Sequence, residues 1–188
     1  MSEIKDAELY RSILQKDSKA LELLYDRYEK LLFSFVYKMT HDPQLSEEVI
    51  QEVFMKLWKK HSNYSEDKGK FSSWLLTLTR NTALDVLRKQ KPQESFEYKE
   101  YDSVNIDSNS PEEIVEWKER GKLIKRAVTK LKGEQQKMID LFYFKGLSHQ
   151  KISERTELPL GTVKGRLRLA LKHLKTHIEK EGGERSND

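Results

Sequence analysis

Two small all-α domains joined by a flexible acidic linker is the fold class that three observations predict. Apolar residues recur at helical spacing in both halves of the chain. Asp-Pro and Ser-Pro pairs stand where helices would start, and a stretch between the halves carries acids with no apolar stripe. The composition agrees: 188 residues with 35% charged and 36% hydrophobic side chains suit two modest cores better than one large one. The absence of Cys excludes disulfides and thiolate metal sites. The start, Met1 to Asp6, has no apolar signal core, and no stretch approaches a membrane-spanning length, so a soluble, cytoplasmic chain is expected.

The N-terminal domain is expected over residues 1–90. Ala20, Leu21, Leu24, Tyr28, Leu31, Leu32, Phe35, Val36 and Met39 form one helical stripe. It stops before Asp42-Pro43, where Asp can cap a new helix and Pro suits its first position. That next helix runs to about Lys60 with Leu45, Val49, Val53, Phe54, Leu57 and Trp58 on one face. Glu48, Gln51, Glu52 and Lys56 are left on the other, a row that invites a basic partner. After a polar loop, Asn63 to Lys70, a third segment runs from Phe71 to Lys89. Trp74, Thr77, Asn81, Asp85 and Arg88 share one of its sides, while Leu75, Leu78 and Val86 can face the core. An aromatic beside amide and basic groups suits unstacked single-stranded bases. Trp74 taken alone fits a hydrophobic core equally well.

Residues 91–110 are expected to be the linker. From Gln93 to Glu119 nine Asp/Glu face two Lys/Arg, and no sustained stripe appears until Ile114. The acids would keep this segment off DNA and could let it lie across basic surfaces; a plain solvated tether is the other reading. Ser110-Pro111-Glu112-Glu113 then supplies an N-cap, a first-position Pro and acids at the positive dipole end, opening a C-terminal domain over 111–188.

Within that domain Ser148 can cap a short helix whose Ile152, with Leu147 and Leu158, packs on the segment that follows. Pro159 and Gly161 are expected to make a tight turn and Thr162 to cap the next helix. There Val163, Leu167, Ala170, Leu171, Leu174 and Ile178 lie on one face, and Lys164, Arg166, Arg168, Lys172 and Lys175 fall elsewhere. The unit reads as a helix-turn-helix. Between Lys145 and Lys180 nine Lys/Arg stand against three Asp/Glu, an excess that would release counterions on meeting the phosphates of duplex DNA. A solvated cationic face is the bland alternative.

No Cys/His metal spacing and no Gly-rich phosphate loop appears, so neither a cofactor nor catalysis is expected. His173 and His177 form an i, i+4 pair without a third ligand nearby, which suits a solvated or phosphate-touching role better than metal. A nucleic-acid enzyme holding magnesium on Glu47, Glu48, Glu52 or Asp85 is disfavoured, because those acids do not converge on one helical face. A one-lobe DNA-binding regulator whose N-terminal half is a sensor or dimerisation module is the other rival; it would bind duplex DNA tightly on its own.

Taken in order, Ser46-Glu47-Glu48-Val49-Ile50-Gln51-Glu52-Val53-Phe54, Trp74-Leu75 through Arg88, and Leu158 to Arg166 resemble the motifs of the extracytoplasmic-function sigma factors. The likeness runs from about Leu23 to Leu174. It implies an alternative sigma factor that binds RNA polymerase core, directs it to specific promoters and helps open the DNA. Glu48, Gln51 and Glu52 would dock on the clamp helices of the largest polymerase subunit. Trp74, Arg80, Asn81, Asp85, Arg88 and Lys89 would line the non-template strand at the minus-ten element, with a flipped base against Tyr64. Thr162, Lys164, Gly165, Arg166, Arg168, Leu169 and Lys172 would meet the minus-thirty-five element. The family commonly has Ser at the position of Gly165, often Arg at that of Leu169, Glu at Lys151, Ala at Ser153 and Pro at Lys132. The resemblance further implies an anti-sigma partner, in many cases membrane-anchored, and no lipid binding by the chain itself.

Overall fold

A computed structural model describes residues 5–90 and 122–183, and it divides the chain into two compact units, residues 1–90 and 91–188. The linker and the Ser110-Pro111 helix start lie outside the described residues. Every regular element among the described residues is helical.

The first unit contains α1 (Asp6–Leu14), α2 (Ser18–Thr40), α3 (Pro43–Trp58), a single 3₁₀ turn (Glu66–Lys68) and α4 (Phe71–Gln90). The Asp17 carboxylate accepts from the backbone N–H groups of Lys19 and Ala20 at 2.9 and 3.2 Å, which fixes the start of α2. Asp42 accepts from Leu45 N–H at 3.0 Å with Pro43 in the first turn, so α3 begins where the sequence places it. The stripe of α2 and the apolar face of α3 meet, and α4 lies across both. Leu24, Leu32, Val36, Val49, Val53, Leu57 and Leu75 make the core.

The helix α1 has no counterpart in the sequence analysis. It buries only Leu9, Tyr10 and Ile13, a stripe too short to stand out in a polar nine-residue segment. Asp6 ties it to α2 by bonding Arg27 and accepting from the Tyr28 hydroxyl at 2.5 Å.

The second unit contains α5 (122–129), α6 (Gly133–Ile139) continued by a π turn (Asp140–Phe144), α7 (His149–Thr156) and α8 (Leu160–Gly183). The π turn is closed by Lys145 N–H donating five residues back to Asp140 at 2.8 Å, and it buries Leu141, Phe142, Tyr143 and Phe144 in succession. The chain leaves it through Gly146, whose φ of 64° would strain any side chain. Ser148 caps α7 by accepting from Lys151 N–H at 3.2 Å. Ile124, Met138, Ile139, Ile152, Val163 and Ala170 form the core, with α6 and α7 both packed on α8.

Candidate functional surfaces of the two domains

The outer face of α3 carries Glu48 and Gln51, both exposed. Glu52, one turn on from Glu48, is half-buried and differently occupied. Its carboxylate pairs with Lys56 at 3.0 Å, and the same ammonium donates to the Thr82 hydroxyl on α4 at 3.0 Å. The expected exposed row therefore splits. Two residues face outward, and the third belongs to a bridge between α3 and α4.

On α4, Asn81, Asp85, Arg88 and Lys89 are exposed. Arg80 is not: it is 7% exposed, and its guanidinium donates to the Asn81 side-chain oxygen at 2.8 Å. Arg80 thus fixes how the Asn81 amide is presented, because a carbonyl held by a guanidinium turns its NH₂ outward. Asp85 and Arg88 form an exposed pair at 3.5 Å, which contributes little rigidity.

Trp74 and Tyr64 are not free stacking platforms. Trp74 is half-buried, and the rings of Tyr10, Tyr64 and Phe71 surround it at 5.4 to 5.5 Å between centroids. Tyr64 meets Tyr10 at 5.8 Å and Phe71 at 5.2 Å, both edge to face, and its hydroxyl donates to the Gly69 carbonyl at 3.0 Å. Burial first, then the nearby Glu66 and Asp6 carboxylates, raises the Tyr64 pKa, so the phenol stays protonated and keeps that donor. Gly69 itself sits at φ 134°, a backbone state closed to side chains, and it ends the 3₁₀ turn.

The loop has a second clasp that sequence reasoning missed. The buried Tyr10 hydroxyl donates to the Ser62 carbonyl at 2.6 Å and accepts from Tyr64 N–H at 3.4 Å. Only the recognition of α1 as a helix could have signalled it.

In the second unit the turn between α7 and α8 differs from the expectation. Glu157, in the left-handed region at φ 56°, ends α7 before Pro159 is reached. The helix α8 begins at Leu160, with Val163 N–H donating to the Pro159 carbonyl at 3.1 Å. Thr162 is therefore an exposed residue of the first turn, not the cap, and Gly161 is helical. The Ser153 hydroxyl donates to the Leu158 carbonyl at 2.5 Å, which pins the turn.

The buried side of α8 is Val163, Leu167, Ala170 and Leu174. Directly opposite, at helical spacing, lie Gly161, Thr162, Gly165, Arg168, Leu169 and Lys172, all exposed. Lys164, Arg168 and Lys172 make no side-chain bond among the described residues. Arg166 stands at the edge of this face and pairs with Glu134 at 3.5 Å. His173 also differs from the solvated role expected of it. Its Nδ1 bonds the amide of buried Gln135 at 2.9 Å, linking α6 to α8. Among the described residues no group of three His, Cys, Asp or Glu could hold a metal ion, and no helix is long and apolar enough to cross a membrane.

One helical unit thus carries an exposed acid and amide face, and the other carries an open cationic face on the second helix of a helix-turn-helix. Residues 24–93 match the family described as Sigma-70 region 2, and residues 122–174 match Sigma-70, region 4. The chain belongs to the extracytoplasmic-function sigma factors, which direct RNA polymerase to promoters and as a family are not known as enzymes. It is 28% identical over 170 residues to the ECF RNA polymerase sigma factor SigK of Mycobacterium sp. (strain KMS), covering 89% of this chain and 87% of that protein. Identity to the SigK of Mycobacterium tuberculosis (strain ATCC 25177 / H37Ra) is 27% over 173 residues, covering 91% and 92%. Among solved structures, Rhodobacter sphaeroides SigE in complex with the anti-sigma ChrR is similar with a TM-score of 0.51 and 27% identity, covering 94% of this chain and 99% of that one.

Proposed function

We propose that α3 docks this sigma factor on polymerase core through Glu48 and Gln51, that α4 and the loop before it hold the melted minus-ten strand, and that α8 reads the minus-thirty-five duplex. The observation that carries this reading is the opposite chemistry of the two exposed faces within matched sigma domains. Acid and amide groups on α3 suit the clamp helices of the largest polymerase subunit, while unpaired cations on α8 suit phosphate and base edges. Glu52 serves this face from behind, holding Lys56 against Thr82 so that α3 and α4 keep their register. Asn81, oriented by Arg80, is the amide best placed for a splayed base; Asp85, Arg88 and Lys89 extend the same side, and Trp74 and Tyr64 wall it. The chain performs no covalent chemistry. Polymerase supplies catalysis in the cytoplasm, residues 91–110 act as an acidic tether, and the C-terminal domain opens at Ser110-Pro111. Because its structural relative SigE is held by an anti-sigma protein, a partner of that kind is proposed here as well.

Replacing Glu48 and Gln51 together by Ala tests the docking face without disturbing the Glu52 bridge. Loss of charge-assisted and amide bonds at the interface should cost about 1–3 kcal/mol of core affinity. Helical content by circular dichroism should not change. Undiminished affinity for core would remove α3 from the docking surface.

A further inference from the structure

The cationic face of α8 has an apolar residue at its centre. Leu169 is 48% exposed, one of few large hydrophobic side chains on the surface of the described residues, and it stands opposite the buried stripe. Arg168 and Lys172 flank it on the same face, and neither makes a side-chain bond among the described residues. One turn earlier stands Gly165, around which an added Cβ would meet no atom within 4 Å. A helical side chain leans back toward the N-terminus over the residue four positions earlier, so the leucine lies over the space that Gly165 leaves open. The helix presents there a bare backbone and a branched apolar tip flanked by two cations.

We propose that Leu169 is a specificity-determining residue that reads a thymine C5-methyl group in the upstream promoter element. The inference rests on the reading of α8 as the helix that enters the duplex there. An apolar protein partner covering Leu169 would have to desolvate Arg168 and Lys172 as well, at high cost unless it paired both. A major groove pairs both with phosphates and offers the leucine the one apolar group on any base edge, the thymine methyl. Gly165 lets the backbone approach closely enough for a short side chain to reach it.

The test uses holoenzyme assembled from core polymerase and the full chain. Promoter fragments are first selected by the wild-type holoenzyme from a pool randomised across the upstream element. Each thymine of the selected element is then replaced singly by deoxyuracil, which removes the methyl group and keeps the pairing. Wild type should lose about three- to fivefold in affinity at one position, the worth of one buried methyl. Leu169→Ala should bind the thymine and uracil versions of that position alike while keeping the wild-type response at every other position. As an exposed residue, Leu169 can be replaced without loss of folding, which circular dichroism checks. Indifference of wild type to every uracil, or the same discrimination in Leu169→Ala, would overturn the proposal. A selection that returns no upstream consensus would instead overturn the reading of α8 on which it rests, and the proposal with it.

Discussion

The two domains hold their working side chains in opposite ways. Around α4 and the loop before it, polar groups of the N-terminal domain are already bonded to one another: Glu52 to Lys56, Lys56 to Thr82, Arg80 to Asn81, Tyr64 to Gly69 and Tyr10 to Ser62. In the C-terminal domain the outer face of α8 leaves Lys164, Arg168 and Lys172 without such bonds among the described residues. The contrast fits the two kinds of target. A splayed base must be met by groups already in place, since a single strand brings little order of its own and ordering both sides is costly. A duplex is a rigid, strongly charged rod, and flexible cations can find its phosphates while a few residues read the bases.

The largest expected effect comes from the core under the open face. Ile152 is fully buried where α7 packs on α8. Truncation to Ala should destabilise the C-terminal domain by about 2–5 kcal/mol through lost burial and the cavity left behind. Amide hydrogen exchange should then accelerate across α6 to α8, upstream-element binding should fail, and core binding through α3 should persist. Loss of core binding as well would show that the two surfaces depend on each other more than this contrast implies.

A smaller effect sharpens the contrast directly. Arg168→Ala should reduce the slope of log affinity against log salt by about one, as expected for a side chain that displaces a counterion. Asn81→Ala should lower permanganate-detected strand opening while leaving that slope at the wild-type value. A changed slope in Asn81→Ala would mean that this side of α4 works on phosphates, not bases.

Legibility followed the length and regularity of the signal. The 23-residue stripe of α2, the Asp42-Pro43 start of α3, the Ser148 cap and the apolar face of α8 are all readable in the sequence, because each repeats a local rule within its own segment. What was missed depends on contacts far along the chain. Tyr10 reaches Ser62, and Gln135 reaches His173, pairings that no periodicity announces. The outward position expected of Glu52 fails for the same reason, since its partner Lys56 is drawn to Thr82 on the next helix; Arg80 is instead buried with its guanidinium on its own neighbour Asn81, which helical spacing does not announce. The helix α8 starts at Leu160, three residues ahead of the expected Val163, because Glu157 adopts the left-handed conformation, for which Glu gives no sequence signal, and so ends α7 ahead of Pro159 and Gly161.

The smallest effect compares two left-handed helix ends, one from each domain. His41 closes α2 at φ 54° and Glu157 closes α7 at φ 56°, each a non-glycine in a conformation that favours glycine. Exposed Glu157 makes no side-chain bond among the described residues, so Glu157→Gly should stabilise the C-terminal domain by about 0.5–1 kcal/mol. His41→Gly should gain less, because the imidazole packs on the Tyr37 ring at 6.4 Å between centroids. Acidification should raise the gain from His41→Gly. Burial first, and Lys38 second, holds its pKa below the ordinary 6.5, so the folded state binds fewer protons than the unfolded state. The stability it supplies is complete above 6.5 and is lost as pH falls through the lower folded value. Between about pH 8 and about pH 5 the N-terminal domain of wild type should therefore lose more stability than His41→Gly, as read by hydrogen exchange in α2 and α3. Equal losses in the two proteins would show that the ring is no more costly to protonate in the fold than in the open chain.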